Sequence, residues 1–505
     1  MSFAERRSRV TQGQLQGSET KGQEMEIDRE TLDKIAEKVL AGILSAGKKA
    51  GNIVPAAEPT DGVFKEMEDA IQAAARAHRD LLGLPLAVRE KVVAAIRKVG
   101  WENRLEYARL ELEETDVGAV DGTVLKLETA CGVPGIEDLV PEVFTGDRGV
   151  TINERIPVGV IASINAITNG APGIIHNCIM MIAGGNTVVH NPHPRTRKVS
   201  ARAVRDVNRA IVAAGGPPNC TTTIEEPDVP TAQYLMTNPR IDLIAVTGGH
   251  RVVEFATKTG KRVIAGGPGN PPVVVDETAD LDHAAQCIIR GASFSHCTPC
   301  SSEKEIFVVE KVADRLKDLL VKYGAYELTA EQGTALMKKI FNEIRPGRVQ
   351  SVINMDYIGK SPSVILKRAI GLDIPVETRI AILEADAEHP LVWTEQIMPI
   401  LPFVRCRDAE EAMTLGVAAE QGMRHTIVFH SNDLHNLARM SSIADASQFV
   451  KNGSSIGGIG VEGEGFKSLH IATGGEGLTR SRTFTLVRRC VLTDDFRYRF
   501  GADGQ

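Results

Sequence analysis

A strand–helix–strand order between residues 158 and 191 constrains the fold of this chain more than any other feature. The sequence runs VGVIASIN, then APGIIHNCIMMIAGG, then NTVVHN. The outer segments are short and apolar, whereas the middle segment has the length of a helix. Two parallel strands joined by a helix are the unit from which mostly parallel sheets are built. This segment therefore predicts an α/β protein.

The same alternation continues along the chain. Further strands are predicted in DLIAVTG, RVIAGG, PPVVVD, EIFVVE and HTIVFH, with helical stretches between them. Two earlier stretches, VFKEMEDAIQAAARAHRDLLGL and AVREKVVAAIRKVGWENRLEYARLELEET, have helical periodicity. The pattern is typical of a doubly wound α/β fold with helices on both faces of its sheets.

Charge and composition exclude several classes of protein. The 505 residues are 43% hydrophobic, enough for about two or three domains with a buried core. A net charge of -7 provides no basic field for nucleic acid or an anionic membrane. Eight cysteines without a dense framework indicate reduced thiols. With no signal-like segment and no apolar run of about 18 residues, neither secretion nor membrane insertion is expected.

The first 60 residues are expected to be separate from the main body. Residues 1–25 are polar and lack apolar periodicity, which predicts disorder. Residues 26–46 place apolar side chains at steps of three and four, as in an amphipathic helix. Residues 47–60 have the composition of a linker. A helix tethered in this way either binds a partner or folds back onto the main body, and the sequence leaves both open.

Two cysteines, Cys297 and Cys300, stand three positions apart in GASFSHCTPCSSEKEIFVVE. Such a pair has three interpretations: half of a zinc site, a thioredoxin-like redox pair, or one catalytic nucleophile with an incidental neighbour. The segment alone does not choose among them.

Two glycine-rich turns have the ingredients of a nucleotide site. In VTGGHRVVEFATKTG a strand turns through Thr247, Gly248 and Gly249 into a helix, whose first N–H groups attract phosphate. In VIAGGPGNPPVVVD, Gly266 lies between two strands, where small residues let backbone approach a ligand. Neither turn is the G-x-G-x-x-G fingerprint, so a purely structural turn and a plain loop remain alternatives.

Five motifs in a fixed order carry a resemblance to a known family. They are PVGVIASINAITNGAP, MIAGGNTVVHNPHP, IAVTGG, the Cys300 segment and TEQIMPILPF. Over residues 61–497 the chain resembles the aldehyde dehydrogenase superfamily. Within it, GNPP and GEGFKSLHIATGGEGLTRSRTFTLVRRCVLT are similar to the CoA-acylating acetaldehyde and propionaldehyde dehydrogenases of bacterial microcompartments. The resemblance implies an aldehyde dehydrogenase-like α/β fold: a Rossmann-type cofactor domain, an α/β catalytic domain and a small β oligomerisation element.

The resemblance also implies domain boundaries. It assigns residues 61–270 to the NAD- and CoA-binding domain, with an oligomerisation hairpin inserted at 130–157, and 271–455 to the catalytic domain. Residues 456–505 then return to the cofactor domain and end in an oligomerisation strand. There TFTLVRRCVLT is expected to pair with GDRGVTINERIPV across subunits of a homodimer or homotetramer.

The resemblance assigns the catalytic roles. Cys300, just before the family's E–K segment and strand, takes the nucleophile's position, and Asn169 is the expected oxyanion donor together with the Cys300 N–H. A zinc site would need further ligands and a redox pair a different local fold, so no metal is expected. Glu395 is expected to contact the nicotinamide ribose. The other residues implied to line the cofactor cleft are Ala166, Ile167, Thr168, Asn191, His193, Thr247, Gly248, Gly249, Gly266 and Ile397.

Several of these residues have a plainer interpretation beside the catalytic one. Outside the family, Asn169 reads as a turn residue and Glu395 as a solvated charge. His193, flanked by prolines, is either structural or a base for CoA. Cys297 is either a bystander or the partner of Cys300 in a reversible disulfide under oxidation.

Two departures from hydrolytic members predict the product. Gly266 and Gly267 stand where those enzymes have their general-base glutamate, and Asn191 stands where they have a ribose-binding lysine. Without a base water attacks slowly, whereas a thiol of pKa about 8.5 already supplies thiolate. Coenzyme A is therefore expected to take the acyl group. Glycines at this place would also leave space for its pantetheine arm.

The resemblance therefore implies oxidation of a short aliphatic aldehyde, propionaldehyde before acetaldehyde, with NAD and CoA to acyl-CoA and NADH. It places the enzyme in the bacterial cytoplasm, within a microcompartment lumen. The helix of residues 26–46 would recruit it there by docking on shell or cargo proteins. The alternatives are a hydrolytic aldehyde dehydrogenase that yields free acid and a non-catalytic cargo or scaffold protein.

Overall fold

A computed structural model describes residues 61–494. The three N-terminal segments discussed above (1–25, 26–46 and 47–60) and the last residues, 495–505, lie outside the described residues. The α-helices are α1 (Met67–Leu82), α2 (Leu86–Glu102), α3 (Arg104–Thr115), α4 (Val120–Cys131), α5 (Ala171–Ala183), α6 (Arg197–Ala213), α7 (Val229–Thr237), α8 (His250–Lys258), α9 (Leu281–Ser293), α10 (Glu310–Lys322), α11 (Ala330–Ile340), α12 (Pro362–Ile370), α13 (Ala409–Ala419) and α14 (Leu434–Ile443).

The strands alternate with these helices over most of the chain. They are β1 (Val63–Phe64), β2 (Glu142–Gly146), β3 (Gly149–Pro157), β4 (Val160–Ile164), β5 (Thr187–Asn191), β6 (Thr221–Ile224), β7 (Leu243–Thr247), β8 (Arg262–Gly266), β9 (Pro272–Val275), β10 (Glu305–Val309), β11 (Ala325–Leu328), β12 (Phe341–Glu343), β13 (Val352–Ile353), β14 (Ile380–Ala385), β15 (Ile400–Cys406), β16 (Thr426–His430), β17 (Gln448–Lys451), β18 (Ile471–Ala472), β19 (Gly477–Leu478) and β20 (Thr485–Leu492). Every strand predicted from the apolar segments is present.

The first parallel sheet has six strands in the order β1-β6-β5-β4-β7-β8. Its centre is the predicted strand–helix–strand unit, because β4 and β5 pair in parallel and α5 connects them. All residues of α5 are buried, which explains its apolar character all round. The strand order reverses beside β4, and ligands of open α/β sheets bind outside the carboxyl ends of strands at such a reversal.

The second parallel sheet has seven strands in the order β11-β14-β15-β10-β9-β16-β17. Its central strands β9 and β10 pair in register from Pro272 with Glu305 to Val275 with Val308. Both strands are buried along their whole length, as expected for a parallel sheet covered on its two faces. The segment that contains the two cysteines connects α9 to β10 and therefore ends at the middle of this sheet.

The third sheet corrects one expectation. Its order is β2-β3-β20, and β20 pairs antiparallel with β3 from Thr485 opposite Pro157 to Leu492 opposite Val150. The two segments expected to meet across subunits thus pair within one chain. The alternating pattern identified the two strands, but it carries no information about which copy of the chain supplies each one.

The long helical stretch before residue 116 is also different from the prediction. It breaks at Asn103 (φ −94°, ψ 5°) into α2 and α3. The Asn103 side chain and its backbone N–H both donate to the Val99 carbonyl, at 2.9 and 3.1 Å, and so cap the end of α2. An amide side chain competes in this way with the next helical hydrogen bond. Across residues 61–494, none of the helices has the length and apolar character to span a membrane.

Candidate active site

A cavity of about 690 Å³ lies at the carboxyl ends of the strands of the first sheet and reaches the cysteine-bearing loop of the second. It brings together segments that are far apart in the sequence. The predicted site residues that line it are Ala166, Ile167, Thr168, Asn169, Asn191, His193, Thr247, Gly248, Gly249, Gly266, Cys300, Glu395 and Ile397. None of the residues assigned to catalysis or cofactor binding lies elsewhere.

The loop before Cys300 has an unusual backbone. Ser295, His296 and Cys297 have positive φ angles of 48°, 56° and 62° in succession. Residues other than glycine adopt this left-handed conformation rarely, and three in a row cost energy that surrounding contacts must offset. The loop therefore depends on its neighbours to hold the cysteine in place.

One such neighbour is Lys304, a fully buried lysine at the end of the loop. Its Nζ donates to the carbonyl oxygens of Cys297 and Pro299, both at 3.1 Å, and contacts Cys297 Sγ at 3.2 Å. The two cysteines therefore differ sharply in surroundings. Cys297 is fully buried against the lysine, whereas Cys300 faces the cavity.

The electrostatic surroundings of Cys300 disfavour its thiolate in the free protein. Burial raises the pKa of the Cys300 thiol to about 11, and the nearby Glu395 carboxylate raises it too. Lys304 and Lys126 act in the opposite direction. Since the thiolate is the nucleophile, positive charge near Cys300 directly increases its reactive fraction.

Glu395 is held against the loop that connects β8 to β9. Its Oε1 accepts the Gly269 N–H at 3.2 Å, and its own N–H donates to Gln350 Oε1 at 3.0 Å. Burial raises the pKa of the Glu395 carboxyl. A Cβ at Gly269 would lie 2.5 Å from the Cys300 carbonyl oxygen, so only glycine allows this approach.

Gly266, which stands where hydrolytic members have their general base, packs tightly against neighbouring protein atoms. A Cβ on Gly266 would lie 3.0 Å from the Ile471 carbonyl oxygen and 3.1 Å from the His470 ring. A carboxylate side chain at this position would require the backbone of β18 to move. The space that glycine was expected to leave is thus taken by protein at Gly266, whereas a Cβ on Gly267 would be in ordinary contact, 3.6 Å from Thr473 Oγ1.

Two residues on the cofactor side are engaged with the protein. The Asn191 amide accepts from Thr231 Oγ1 at 2.8 Å and donates to the Asp228 carbonyl at 3.2 Å, so it orders the start of α7. His193 accepts the Arg195 N–H on Nδ1 at 3.1 Å, and burial lowers its pKa. That hydrogen bond supports the structural interpretation of His193.

The turn from β7 into α8 is open in front of the helix. Gly249 caps α8, and a Cβ built on it would meet nothing within 4 Å. Gly248 beside it has φ +157°, and Thr247 ends β7. Free space in front of a helix N-terminus is the arrangement that accepts a pyrophosphate.

Sequence reasoning missed four polar residues at this site. Glu111, Lys126, Lys304 and His425 are buried at the loops that form the cavity. His425 has its ring beside Gly269, and burial lowers its pKa to about 4, so it is neutral at pH 7. Its Nε2 makes no hydrogen bond within residues 61–494. Lys304 belongs to the E–K segment that placed Cys300, but no role was assigned to it. No local signal marks the other three, because each is a common polar type within an ordinary helix or loop.

The fold and the cavity define a nucleotide-dependent enzyme with a cysteine at its centre, and comparison with known proteins gives its family. Residues 54–480 match the model of the aldehyde dehydrogenase family, and the chain belongs to this family.

Two relatives cover almost the whole chain. Over 474 residues it is 43% identical to the acetaldehyde dehydrogenase (acetylating) EutE of Salmonella typhimurium, covering 93% of this chain and 100% of that protein. It is 38% identical to the propanal dehydrogenase (CoA-propanoylating) of the same organism, covering 92% of this chain and 99% of that protein.

Solved structures are similar throughout. A propionaldehyde dehydrogenase from the Clostridium phytofermentans fucose utilisation bacterial microcompartment is 40% identical with a TM-score of 0.83, covering 87% of this chain and 100% of that one. The Rhodopseudomonas palustris propionaldehyde dehydrogenase with bound CoA and an acylated cysteine is 38% identical with a TM-score of 0.82. It covers 86% of this chain and 98% of that one.

Proposed function

We propose that this chain is an NAD-dependent, CoA-acylating aldehyde dehydrogenase that converts a short aliphatic aldehyde, NAD and CoA to acyl-CoA and NADH. The observation that carries the proposal is the cavity that gathers Cys300, Asn169 and Glu395 around one space while Gly266 provides no base. The relatives named above act on acetaldehyde and propanal with acyl transfer. Propionaldehyde is the proposed substrate.

In the proposed mechanism Cys300 attacks the aldehyde. Its thiolate adds to the carbonyl carbon and forms a C–S bond, and the carbonyl oxygen becomes an oxyanion that the Asn169 amide and the Cys300 N–H stabilise. NAD, when bound, accepts the hydride that leaves this carbon. The result is a thioester on Cys300, with the oxygen again a carbonyl.

The second half of the reaction transfers the acyl group. The CoA thiolate attacks the thioester carbon, the same residues stabilise the second oxyanion, and the C–S bond to Cys300 breaks to leave acyl-CoA. Water would need a general base near the thioester, and at the position where hydrolytic members have one, Gly266 has no side chain and a Cβ would lie 3.0 Å from the Ile471 carbonyl oxygen. The protein thus favours the thiol nucleophile over water.

The residues that would hold NAD all line the cavity. Thr247, Gly248 and Gly249 form the turn into α8 for the pyrophosphate, and Glu395 is proposed to contact the nicotinamide ribose. Asn191 and His193 also line the cavity and are proposed to contact the adenosine end of the cofactor. The remaining proposed lining residues are Ala166, Ile167, Thr168, Gly266 and Ile397.

Dependence of NADH formation on CoA tests the proposed function. With purified protein, propionaldehyde and NAD, we expect steady NADH production only when CoA is present. Omission of CoA should lower the steady rate by at least about 100-fold, because acyl-enzyme accumulates when its acceptor is missing. Mass spectrometry of the product should find propionyl-CoA. Steady CoA-independent turnover with release of propionate would instead establish the hydrolytic alternative.

The domain division is part of the proposal. The six-stranded sheet lies within residues 61–270 and the seven-stranded sheet within 271–455, which supports a cofactor domain and a catalytic domain. The three-stranded sheet joins the 130–157 insertion to the strand from the 456–505 segment. Its strands expose Val143, Phe144, Val487 and Val491, so we propose it as the surface for a homodimer or homotetramer. A monomer mass by light scattering would contradict this.

We further propose that residues 26–46 recruit the enzyme to a microcompartment through shell or cargo proteins. The amphipathic pattern of this segment and the microcompartment origin of the Clostridium structure support the proposal. Deletion of residues 26–46 should leave specific activity within about twofold but abolish co-sedimentation with purified microcompartments, since the active site lies elsewhere. Deletion of residues 1–25 is the matched control. Retention of the 26–46 deletion in the shell fraction would refute the proposed role.

A further inference from the structure

Lys126 is buried beside the cavity without lining it. Only 4% of this residue is exposed, although it is a lysine in the middle of α4. Its Nζ donates to the Thr168 carbonyl oxygen at 2.9 Å and to Thr298 Oγ1 at 3.2 Å. Thr168 precedes Asn169, and Thr298 lies two positions before Cys300. One ammonium group therefore joins the loop of the proposed oxyanion donor to the loop of the proposed nucleophile.

A buried carboxylate holds the other end of the Asn169 loop. Glu111 on α3 is 3% exposed, and its Oε2 accepts the Ala171 N–H at 2.9 Å, at the first residue of α5. The carboxylate also favours the charged form of Lys126 and so offsets part of its burial. The backbone on either side of Asn169 is thus held by Lys126 at Thr168 and by Glu111 at Ala171. Burial raises the pKa of the Glu111 carboxyl, and the nearby Lys126 ammonium lowers it.

We propose that Lys126, with Glu111 as its counter-charge, is a positioning residue that sets Asn169 against Cys300 and favours the Cys300 thiolate. The inference rests on the proposed function, because it assumes the roles given there to Asn169 and Cys300. Burying an ammonium group is costly, and the hydrogen bonds that offset the cost here all lead to these two loops.

The charge of Lys126 makes its contribution depend on pH. The charged or titratable groups around Cys300 are Glu395, Lys304 and Lys126, with the neutral His425 beside Gly269. Burial lowers the pKa of Lys126 to about 8, whereas Glu111 and Cys300 raise it. Below pH 8 Lys126 is charged and attracts the thiolate; above pH 9 it is neutral and does not.

Alkylation of Cys300 by iodoacetamide separates this role from a merely structural one. At pH 7 we expect Lys126→Met to be alkylated about three- to tenfold more slowly than the wild type, because a nearby positive charge is lost. Above pH 9 the two rates should converge, because wild-type Lys126 is then neutral as well. Lys126→Arg stays charged and should react faster than the wild type at pH 9.5.

Steady-state kinetics should show the positioning effect. We expect Lys126→Met to lower kcat by about 10- to 100-fold with the KM for NAD within about twofold, because the lost contact positions the oxyanion donor Asn169, whereas the proposed pyrophosphate turn at Thr247 to Gly249 is unchanged. Lys261→Met is the matched control: Lys261 also donates to two carbonyl oxygens, of Asn238 and Ile241, but outside the cavity. This control should keep wild-type kcat and alkylation rates.

A wild-type kcat and a wild-type alkylation profile for Lys126→Met would overturn the inference. If Lys126→Met fails to fold, Lys126→Arg tests the inference instead. An alkylation rate of Lys126→Arg equal to that of the wild type at pH 9.5 would overturn the inference as well. Failure of the proposed function is recognised separately: the wild type would then form NADH at the same rate without CoA, or form none, whatever the Lys126 variants do.

Discussion

Cys300→Ala should lower CoA-dependent NADH formation by at least about 10⁴-fold, the largest effect expected of any single substitution in this chain. The alanine variant can form neither the C–S bond to the aldehyde nor the thioester that CoA accepts. Binding of NAD should persist, because the substitution leaves every proposed cofactor residue in place. Initial rates with propionaldehyde measure the loss of activity. Calorimetric titration of the variant with NAD measures cofactor binding separately.

Cys297→Ala is the control that the chain itself offers. Cys297 is fully buried, and its backbone carbonyl, which the substitution retains, is one of the three acceptors of Lys304 Nζ. We expect activity within about tenfold of the wild type and a free energy of unfolding lower by about 1–2 kcal/mol, from the lost thiol packing. Equal loss of activity in both variants would contradict a single nucleophile and favour the alternative in which the two cysteines act as a pair.

Asn169→Ala should reduce kcat by about 10²- to 10³-fold, the cost of removing one donor from an oxyanion site. The residue lines the cavity in the loop held by Glu111 and Lys126, and its N–H donates to the Ala166 carbonyl at 3.1 Å. The KM for NAD should change little, since the oxyanion exists only after the chemical step begins. Asn169→Asp should be at least as slow, because it places a carboxylate against the developing negative charge.

Asn191→Ala is the matched control for the Asn169 variants, because it removes the amide of another asparagine that lines the cavity. Its amide orders the start of α7 through Thr231 and Asp228, on the cofactor side of the cavity. We expect it to raise the KM for NAD and to leave kcat within about threefold, the reverse of the Asn169 pattern. An unchanged kcat for Asn169→Ala would remove this residue from the proposed oxyanion site.

The secondary structure was accessible from the sequence where the signal was local and strong. The two outer apolar runs of residues 158–191 and the apolar runs at β7, β8, β9 and β10 correspond to strands, because buried parallel strands are apolar on both faces. The helix boundary at Asn103 was not accessible from the sequence. A single amide that caps a helix looks like any polar residue in a continuous helical pattern. The pairing of β20 with β3 within one chain was likewise beyond the strand pattern.

The sequence by itself determined the α/β class, the order of the strands and the motifs that carry the resemblance, and with them every residue expected to line the cavity. The α/β class and the order of the strands along the chain depend on residue type and on short spacings, which a sequence displays directly. The residues expected to line the cavity were assigned through the resemblance. Only the tertiary structure decided that Gly266 packs against Ile471, that Cys297 is buried on Lys304, and that Lys126 joins the loops of Thr168 and Thr298. The physical reason is separation along the chain: Lys126 and Thr298 are 172 positions apart, and their hydrogen bond exists only once α4 and the second sheet have come together.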